Sequence, residues 1–542
     1  MIFARMIKEK FGILLWLIAG LALVLRIWGM WYGLPYLLHI DEQVFVNAGM
    51  RFGLGDFNPR WFGHPGNILM YLLFVGFAGF YGLGFIFGRF DSAQAFSEYF
   101  FADPTVFYLV GRSIGVLAGT LSVIAIGHLG KRLVNERVGI IAAIFLAVDP
   151  ACVINAKFIR TDVLGTLFII LAVFWGVKYC DYRRPKYAIL SSVAVGLATA
   201  NKYPYIVSGV ITLFLVFLKW RQLTAHNQNG LRLSDFPWRF LFGHGVIILL
   251  SFFCVTPFFF LDFPTVLKDV SVEAYGHHLG AESLTLWRNF WWYCSEVLSW
   301  SKGLPIILGA VLGMFLLLRN SDVQKLMIIV FPMLYFIGIV FVVGSFHLSA
   351  THWVIPILPF IGLHAAITVD FLSSRLASFR SWKKINTGAI RMTALTILSL
   401  LFGIHSLKET IFNNRELVMP DTRQVCTEWI RKHIPEGKLA QEFYSFQPYS
   451  RYAYLMGEYE FEKYKIYQGF SITDKTLGEY RAAGFTHLIL SSFIYDRYLD
   501  EPERYNREVQ IYNSIFAMAP LQTFESILDK IKGPRIVIYA IN

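Results

Sequence analysis

The sequence predicts a polytopic α-helical membrane protein that carries a small α/β domain at its C-terminal end. Of its 542 residues, 56% are hydrophobic and 16% are charged, which is far more apolar than a soluble globular protein of this length. Apolar runs long enough to cross a bilayer recur down to residue 407. The rest of the chain, about 130 residues and therefore enough for a core of its own, changes to short strand and helix patterns.

The apolar runs give the membrane elements in chain order. The first is too long for a signal peptide and lacks a small-residue cleavage site, so we interpret it as a membrane span. The runs fall at 11–31, 67–87, 106–129, 138–156, 163–179, 187–201, 203–218, 240–260, 303–318, 326–343, 353–370 and 388–407. We predict about eleven crossings, because the run at 67–87 fits better as a segment in the outer leaflet.

The loop charges set the predicted orientation. With eleven spans, the cytoplasmic segments hold roughly 21 Lys and Arg against about 6 acids, whereas the opposite loops hold roughly 10 basic residues and about a dozen acids. Counting 67–87 as a span scrambles this asymmetry. We therefore predict a cytoplasmic N-terminus, a membrane domain at 1–407 with a large outer loop at 32–105, and an extracytoplasmic domain at 408–542.

The predicted outer domain opens with an amphipathic helix. DTRQVCTEWIRKHIPEGK places Val425, Trp429 and Ile434 on one side and stops at Pro-Glu-Gly. KLAQEF, THLILSS and PRIVIYAIN are typical of strands, and TDKTLGEYRAAGF and YNREVQIYNSIFAM of helices. The domain has no Gly-rich phosphate loop, no GxSxG and no cluster of metal ligands, so we expect it to support the membrane domain or to dock a partner.

The net charge of +12 does not indicate a nucleic-acid-binding protein. Lys and Arg form short clusters between apolar runs instead of a basic stripe with interleaved aromatics, which is typical of topology signals. The five cysteines show no CxxC and no zinc-like spacing, so they give no disulfide framework. No Asn-x-Ser/Thr sequon occurs, which favours the plasma (inner) membrane of a bacterium or archaeon over the endoplasmic reticulum.

The candidate functional residues lie near the predicted outer ends of spans. The acidic ones are Asp41 and Glu42, which follow the first span in LHIDEQVFVNAGM, and Asp162 in KFIRTDVLG. The basic ones are Arg26, His64, Lys202, His277, His278, His347 and His352. Charges next to spans are costly and therefore more often functional than charges in loops. Their convergence on one side predicts a site for an anionic, membrane-borne substrate.

Each residue taken alone also has a simpler explanation. An Asp-Glu pair in a loop is most often only solvated, and Asp162 stands where it would cap a helix. Lys202 and Arg26 are placed to extend toward the headgroups. Adjacent histidines on a helix point about 100° apart, so His277 and His278 form a weak metal motif.

Together, these motifs resemble the integral-membrane glycosyltransferases of the GT-C type, above all the protein O-mannosyltransferase-like group and the lipid A aminoarabinose transferase. The similarity rests on the acidic pair after the first span, RWFGHPGN before an apolar run, Arg-Thr-Asp at the start of a later span, and GLATANKY one helix further on. TPFFFLDFPTVLKDVSVEAYGHH, THWVIPILPFIGLHAA and the start of the tail domain also look like segments of that group. The resemblance covers most of the chain.

The resemblance implies a transferase that moves a sugar from a polyprenyl-phosphate donor to an acceptor hydroxyl on the outer side of the membrane. It makes Asp41 the catalytic base, and it gives Glu42 and Asp162 the task of positioning the substrate. His64 stands where the aminoarabinose transferase has a lysine that contacts the lipid phosphate. Because a neutral imidazole is a weaker anion partner, Lys202 is expected to supply the missing charge.

The chemistry of such a transfer needs one positioned carboxylate. Phosphate is already a good leaving group, so the limiting event is deprotonation of the attacking hydroxyl, for which a general base typically gives about 10²–10⁴-fold. Direct displacement would invert the anomeric carbon. Adjacent helical residues project about 100° apart, so Asp41 and Glu42 are not expected to address the same proton.

The departing phosphate needs cationic partners. Those expected are Lys202, His64, Arg26, His277 and His278, and we expect His347 and His352 to lie on a loop that contacts the donor or the acceptor. No further acidic cluster occurs, so no metal is expected to be obligatory; a divalent cation is the alternative. The run at 67–87 suits the wall of a groove for the lipid tail, or else a sealing amphipathic segment.

Two functions of other classes stay open. A proton-coupled secondary transporter or lipid flippase would carry acids near the bilayer midplane and usually an internal repeat, and the sequence shows no such duplication. A non-catalytic scaffold or receptor is disfavoured by the many polar residues on one side of the predicted bundle. The sequence does not choose the sugar, nor whether the acceptor is a protein, a glycolipid, lipid A or a glycan.

Overall fold

The computed structural model of the protein describes residues 2–63, 65–224, 233–275, 286–319, 323–340, 350–378, 387–446 and 457–541. The helices of the membrane part are α1 (Ile2–Ile27), α2 (Ile40–Phe52), α3 (Asn67–Ile86), α4 (Ala93–Ala102), α5 (Thr105–Leu133), α6 (Glu136–Ala147), α7 (Pro150–Asn155), α8 (Thr161–Tyr182), α9 (Pro185–Thr199), α10 (Val210–Thr224), α11 (Trp238–Val255), α12 (Phe258–Leu261), α13 (Phe263–Tyr275), α14 (Leu286–Trp292), α15 (Ser299–Leu318), α16 (Val323–Gly338), α17 (Leu358–Ala377) and α18 (Thr387–Leu417). The 3₁₀ segments Tyr203–Gly209 and Thr351–Ile357 lead into α10 and α17.

Nine helical stretches in these ranges are long and apolar enough to cross a membrane. They are Lys10–Ile27, Asn67–Ile86, Thr105–Leu133, Thr161–Tyr182, Tyr203–Thr224, Trp238–Val255, Leu286–Leu318, Thr351–Ala377 and Thr387–Leu417. With α6, α9 and α16 they account for all twelve apolar runs of the sequence. The predicted polytopic α-helical class is therefore confirmed, while the number of crossings and the orientation stay predictions.

Helix α3 packs against α2 and α5 at the end of the bundle where α5 and α8 begin; we call this the α2 end. An added Cβ on Gly111 in the second turn of α5 would lie 2.8 Å from Leu73 of α3. Further along α3, Phe77 and Phe80 pack edge-on against Phe107, in the first turn of α5. These contacts pack α3 against the first two turns of α5, and whether α3 crosses the membrane stays a prediction.

Gly66 sets the close approach of α3 to its neighbours. It precedes the first residue of α3 with φ +51°, in the left-handed region that glycine adopts without strain. An added Cβ would lie 2.6 Å from the Phe45 ring of α2 and 3.3 Å from Thr161 at the start of α8. A larger residue would therefore push α2 and α8 apart at the α2 end.

The last membrane helix continues beyond the predicted boundary at 407. Helix α18 runs to Leu417 because its polar residues are held by the ends of other helices. Thr410 donates to the carbonyl of Val148 over 2.8 Å, and Asn414 donates to the carbonyl of Leu25 over 2.9 Å. These buried contacts fix the helix that leads into the tail domain.

The tail domain is a six-stranded mixed sheet with helices on it. Its elements are α19 (Thr422–His433), β1 (Gly437–Glu442), β2 (Gly457–Phe461), β3 (Tyr464–Gly469), α20 (Leu477–Ala482), β4 (His487–Ser491), α21 (Ser492–Leu499), α22 (Asn506–Phe516), β5 (Gln522–Phe524) and β6 (Ile536–Ala540). The strand order is β2-β3-β1-β4-β6-β5, in which β1 pairs in parallel with β3 and β4 and the other pairs are antiparallel.

The predicted small α/β domain is confirmed, with three strands and one helix beyond the prediction. The strands predicted from KLAQEF, THLILSS and PRIVIYAIN are β1, β4 and β6, and the three predicted helices are α19, α20 and α22. The apolar pattern of the additional elements is masked by many polar or aromatic residues. These elements are β2, β3, β5 and α21. Helix α19 buries Cys426, Ile430 and Ile434 against one face of the sheet.

Candidate active site

Asp41 lies in the first turn of α2, where the free N–H groups of a helix N-terminus favour a carboxylate. The residue before α2, His39, is extended with φ −104° and ψ 106°. The Asp41 carboxylate forms an ion pair with Arg160, which directly precedes α8. Because the Asp41 side chain is still 49% exposed, a substrate has access to it.

Arg160 also joins Asp41 to His352, since its Nη1 lies 3.2 Å from the imidazole Nδ1. Burial acts to raise the pKa of Asp41, but the charges of Arg160 and His39 outweigh it and lower that pKa to about 2. Burial, followed by the Arg160 charge, lowers the pKa of His39 to about 4. At neutral pH the Asp41 carboxylate is therefore ionised and the His39 imidazole is neutral.

Glu42, next to Asp41, points in another direction and is fully buried. Its carboxylate receives two parallel hydrogen bonds from Arg112, of 2.8 Å and 2.7 Å, and a third of 3.0 Å from the backbone N–H of Ile159. The remaining nitrogen of Arg112 donates to the carbonyls of Met30 and Tyr32, over 2.7 Å each. Glu42 therefore ties the start of α2 to α5, to the end of α1 and to the segment before α8.

Asp162 and Lys202 form a second, buried ion pair. The Lys202 Nζ lies 2.9 Å from Asp162 Oδ1, and the hydroxyl of Tyr205 donates to the same oxygen over 3.0 Å. The Lys202 ammonium also lies 3.8 Å from the centre of the Trp353 ring, a cation–π geometry. Lys202 is thus held between a carboxylate and an aromatic ring.

The two ion pairs meet at the α2 end of the bundle. Arg160 and Asp162 are two residues apart in the chain, and His352 precedes Trp353, so the segments 160–162 and 352–353 each contact both pairs. The structure therefore brings Asp41, Asp162 and Lys202 together with His352, as the sequence predicts.

Of the other basic candidates, Arg26 is described by the structure and does not join this group. Arg26 is fully buried in α1, and its guanidinium donates to the carbonyls of Ala22, Leu146 and Ala147 over 3.1 to 3.2 Å. Four of the predicted histidines lie outside the described residues: His64, His277, His278 and His347.

Sequence reasoning missed three important residues of the site. Arg160 was visible in FIRTD but had drawn attention only as a neighbour of Asp162. Arg112 lies one to two turns into an apolar helix, and a single buried Arg in a predicted span is the signal that would have found it. Trp353 carried no signal, because aromatic residues are common near the ends of spans.

The tail domain contacts the segment that leads into α2. Arg423, in the first turn of α19, forms two hydrogen bonds of 2.7 Å with Asp421 and donates to the carbonyl of Leu38 over 2.9 Å. It also donates to the Tyr32 hydroxyl over 3.2 Å, and the ammonium of Lys532 lies 3.9 Å from the Tyr32 ring centre. The tail domain thus holds the chain three residues before Asp41.

An apolar cavity of about 530 Å³ opens beside the second half of α2. Its wall includes Phe74, Phe77 and Tyr81 of α3 and Phe96 and Phe100 of α4. Asn47 to Arg51 of α2, with Gly53 and Leu54 just after it, contribute to the lining, so the cavity begins about two turns from Asp41 along that helix. The cavity has the size and lining of a site for an apolar chain.

Among the described residues, no three His, Cys, Asp or Glu side chains lie close enough together to hold a metal ion.

Comparison with known proteins gives one family match. Residues 108–233 match the family described as dolichyl-phosphate-mannose-protein mannosyltransferase. This stretch runs from α5 to just beyond α10 and includes Arg112, Arg160, Asp162 and Lys202. No curated protein matches the chain.

Solved structures with the same fold include ArnT from Cupriavidus metallidurans bound to undecaprenyl phosphate. It is 13% identical, with a TM-score of 0.53 over 96% of this chain and 97% of that chain. The archaeal oligosaccharyltransferase AglB from Archaeoglobus fulgidus, in complex with an inhibitory peptide and a dolichol-phosphate, is 11% identical, with a TM-score of 0.53 over 93% of this chain and 71% of that chain. The chain thus has the GT-C fold and resembles the mannosyltransferase and ArnT groups, which confirms the predicted resemblance.

Proposed function

We propose that this GT-C chain is an inverting glycosyltransferase that takes a sugar from a polyprenyl-phosphate donor and passes it to an acceptor hydroxyl. The observation that carries the proposal is the half-exposed Asp41 carboxylate, fixed by Arg160 at the end of the bundle that also holds Asp162, Lys202 and His352. The neighbours that hold undecaprenyl phosphate or dolichol-phosphate support a lipid-linked donor.

Asp41 is the proposed general base, and Arg160 controls its basicity. While the two are paired, the pKa of Asp41 is about 2, so its carboxylate is a poor proton acceptor. A guanidinium matches phosphate as well as carboxylate. When the donor phosphate binds Arg160, the carboxylate is released and its pKa rises, because the pairing that lowers it is lost. The base is then activated only when the donor is present.

Glu42 and Asp162 act as positioning residues in this proposal. Glu42 orients the first turn of α2 through Arg112, and Asp162 fixes Lys202 beside the Trp353 ring. Arg26 is better explained as a structural cation, because its guanidinium already serves three carbonyls.

The contacts of the predicted histidines with the donor and the acceptor are proposed from the sequence. His64, His277 and His278 are proposed for the donor phosphate, and His347 and His352 for the donor or acceptor loop. We propose no obligatory metal, since Arg160 and Lys202 supply positive charge at the site.

The apolar cavity beside α2 is the proposed site of the donor's lipid tail. It lies along the same helix as Asp41, and its aromatic wall comes largely from α3, the run expected to form a groove for lipid. A phosphate at Arg160 and a polyprenyl chain between α2, α3 and α4 would place the anomeric carbon close to Asp41.

The distribution of acids favours a transferase over a proton-coupled transporter or flippase. A proton-coupled transporter would carry acids near the bilayer midplane. In the described part of the chain, no Asp or Glu falls in the middle third of any of the nine candidate spans. Asp41 and Asp162 lie together at one end instead.

We propose that the site faces the outside or periplasm of a bacterial or archaeal plasma membrane. The acceptor is a protein, glycolipid or glycan hydroxyl that reaches the α2 end of the bundle.

Replacement of Asp41 by Asn tests the proposal. Asn keeps the shape of the side chain and removes its basicity, so transfer should fall by about 10²–10⁴-fold. The measurement is release of radiolabelled sugar from a polyprenyl-phosphate donor by the full-length protein, with the retained lipid identified by mass spectrometry.

The matched control is Glu98→Gln. Glu98 is an exposed acid of α4 whose carboxylate accepts a hydrogen bond from Gln94, so its loss should leave transfer unchanged. Near-normal turnover in Asp41→Asn, with the control also normal, would remove Asp41 as the base. No sugar release by the wild-type protein from any polyprenyl-phosphate sugar would overturn the proposed function itself.

A further inference from the structure

A basic cavity of about 470 Å³ lies at the opposite end of the bundle from Asp41. It is formed where α5 and α8 end, and it is lined by His128, Lys131, Arg132, Phe174, Lys178 and Asp181. Asp162 and Lys178 are sixteen positions apart on α8, which corresponds to about 24 Å along the helix. The cavity is therefore separate from the proposed active site.

The cations of the cavity are only partly neutralised. Arg132 pairs with Asp181 over 2.6 Å, and that carboxylate also accepts from Gln324 over 2.6 Å. Lys131 lies 3.7 Å from Glu136, at the long end of an ion-pair distance. Lys178 makes no ion pair with any described residue, which leaves positive charge facing the cavity.

Aromatic rings hold both lysines at the cavity. The Lys178 ammonium lies 4.8 Å from the ring centre of Phe174 and 4.6 Å from that of Trp175. The Lys131 ammonium lies 4.3 Å from the ring centre of Phe11 in α1. Lysines framed by aromatic residues at the end of spans are typical of the headgroup level of a membrane.

An apolar face continues from the cavity into the bundle surface. On α5, Leu117 and Leu121 lie on the same helix face as His128, and their side chains are 56% and 50% exposed. On α8, half-buried Leu171 lies on the same face as Phe174 and Lys178. This surface would accept an acyl chain, whereas a free phosphate would use only the basic end.

We propose that this cavity binds the phosphate of an anionic phospholipid from the leaflet opposite Asp41. Lys131 and Lys178 would bind the phosphate oxygens, and the acyl chains would lie along the exposed leucines of α5. Basic pockets between spans recognise anionic headgroups in this way. The proposal does not depend on the sugar transfer proposed above, because the two sites lie at opposite ends of α8.

Lipid binding by the delipidated full-length protein tests the proposal. Phosphatidylglycerol, phosphatidylcholine and inorganic phosphate are added separately in detergent, and bound molecules are counted by native mass spectrometry. We expect phosphatidylglycerol to bind in preference to phosphatidylcholine. Replacing both Lys131 and Lys178 by Gln should weaken phosphatidylglycerol binding about thirtyfold. The reason is that each lysine near an anionic lipid surface contributes a factor of about five to the affinity.

Lys186→Gln is the matched control. Lys186 also lies over an aromatic ring, 5.2 Å from the centre of Tyr187, but it does not line the cavity. Its replacement should leave lipid binding unchanged. Three results would each overturn the proposal. They are equal binding of the two phospholipids, wild-type affinity for phosphatidylglycerol in the double variant, and a protein that binds inorganic phosphate but does not bind phosphatidylglycerol.

Discussion

At the scale of single residues, the adjacent acids Asp41 and Glu42 have different environments because their side chains leave α2 in different directions. Asp41 is half-exposed and pairs with Arg160, whereas Glu42 is fully buried and pairs with Arg112. An exposed carboxylate is available to a substrate. A buried carboxylate held by three hydrogen bonds is a structural anchor.

The pairing of Asp41 with Arg160 predicts a change in pH dependence. Because Arg160 lowers the pKa of Asp41 to about 2, the wild-type kcat/KM should not fall on account of Asp41 down to about pH 3. Arg160→Gln removes that charge while burial still raises the pKa, so the acid limb should move above about pH 4. The measurement is the shape of the kcat/KM profile, normalised to its maximum.

Arg60→Gln is the control for this profile. Arg60 lies in the same predicted outer loop as Asp41 and forms an exposed i,i+4 ion pair with Asp56. Its replacement should therefore not move the acid limb of the kcat/KM profile. An unchanged limb in Arg160→Gln would show that the pair does not set the basicity of Asp41.

The buried pair of Glu42 predicts a stability effect. Glu42→Gln leaves the Arg112 guanidinium buried without its counter-charge, which should cost about 3–5 kcal/mol. Thermal unfolding of the detergent-solubilised protein measures the loss. Asp41→Asn provides the comparison, because its partner is partly exposed and the loss should be smaller. Equal unfolding temperatures for the two variants would contradict the anchoring role of Glu42.

At the scale of elements, the N-terminus of α2 is fixed from two domains. Arg112 of α5 binds Glu42 and the carbonyls that follow α1, and Arg423 of α19 binds the carbonyl of Leu38. The tail domain, expected from its sequence to be a support or a docking module, thus makes direct contact with the segment that positions Asp41.

This contact predicts that the tail domain affects the rate of transfer. Arg423→Lys keeps the charge beside Asp421 but loses the planar fork that reaches Leu38 and Tyr32. A small displacement of a catalytic group is enough to lower kcat, so we expect a loss of about 10–100-fold with KM nearly unchanged. The assay is steady-state sugar transfer.

Arg431→Lys is the control on the same helix. Arg431 pairs with Glu462 at the surface of the tail domain, away from α2, and its replacement should not alter kcat. A change in KM without a loss of kcat in Arg423→Lys would contradict the positioning of α2 by Arg423. Equal effects of Arg423→Lys and Arg431→Lys on kcat would contradict it as well.

At the scale of the whole molecule, the bundle has two chemically distinct ends. The α2 end carries the two acid–base pairs and is contacted by the tail domain, while the opposite end carries the basic cavity. The positive-inside rule predicts that the basic end faces the cytoplasm. The number of crossings, about eleven, stays a prediction.

The predicted orientation gives a test on intact cells. A C-terminal tag should be cut by protease added to spheroplasts, whereas an N-terminal tag should be cut only after lysis. A tag inserted at Gly88, just after α3, should be accessible from outside if α3 does not cross. If both termini lie on the same side, the number of crossings is even and the predicted eleven is wrong.

The sequence alone determined the elements of this protein, because burial in lipid demands long apolar runs and a small α/β domain demands alternating patterns. Each of the twelve runs contains a helix in its described residues, and the three predicted strands and three predicted helices of the tail are present. It also singled out Asp41, Asp162 and Lys202 as candidates, since charges beside spans stand out against an apolar background.

Only the tertiary structure decided which charges pair. Asp41 could meet Arg160, and Glu42 could meet Arg112, only after helices distant in sequence had packed together. The same holds for Arg26, which serves backbone carbonyls, and for Arg423, which reaches across from the tail domain. The sequence shows where a charge stands next to an apolar run, at a cost in free energy. Which partner offsets that cost is decided by how the helices pack.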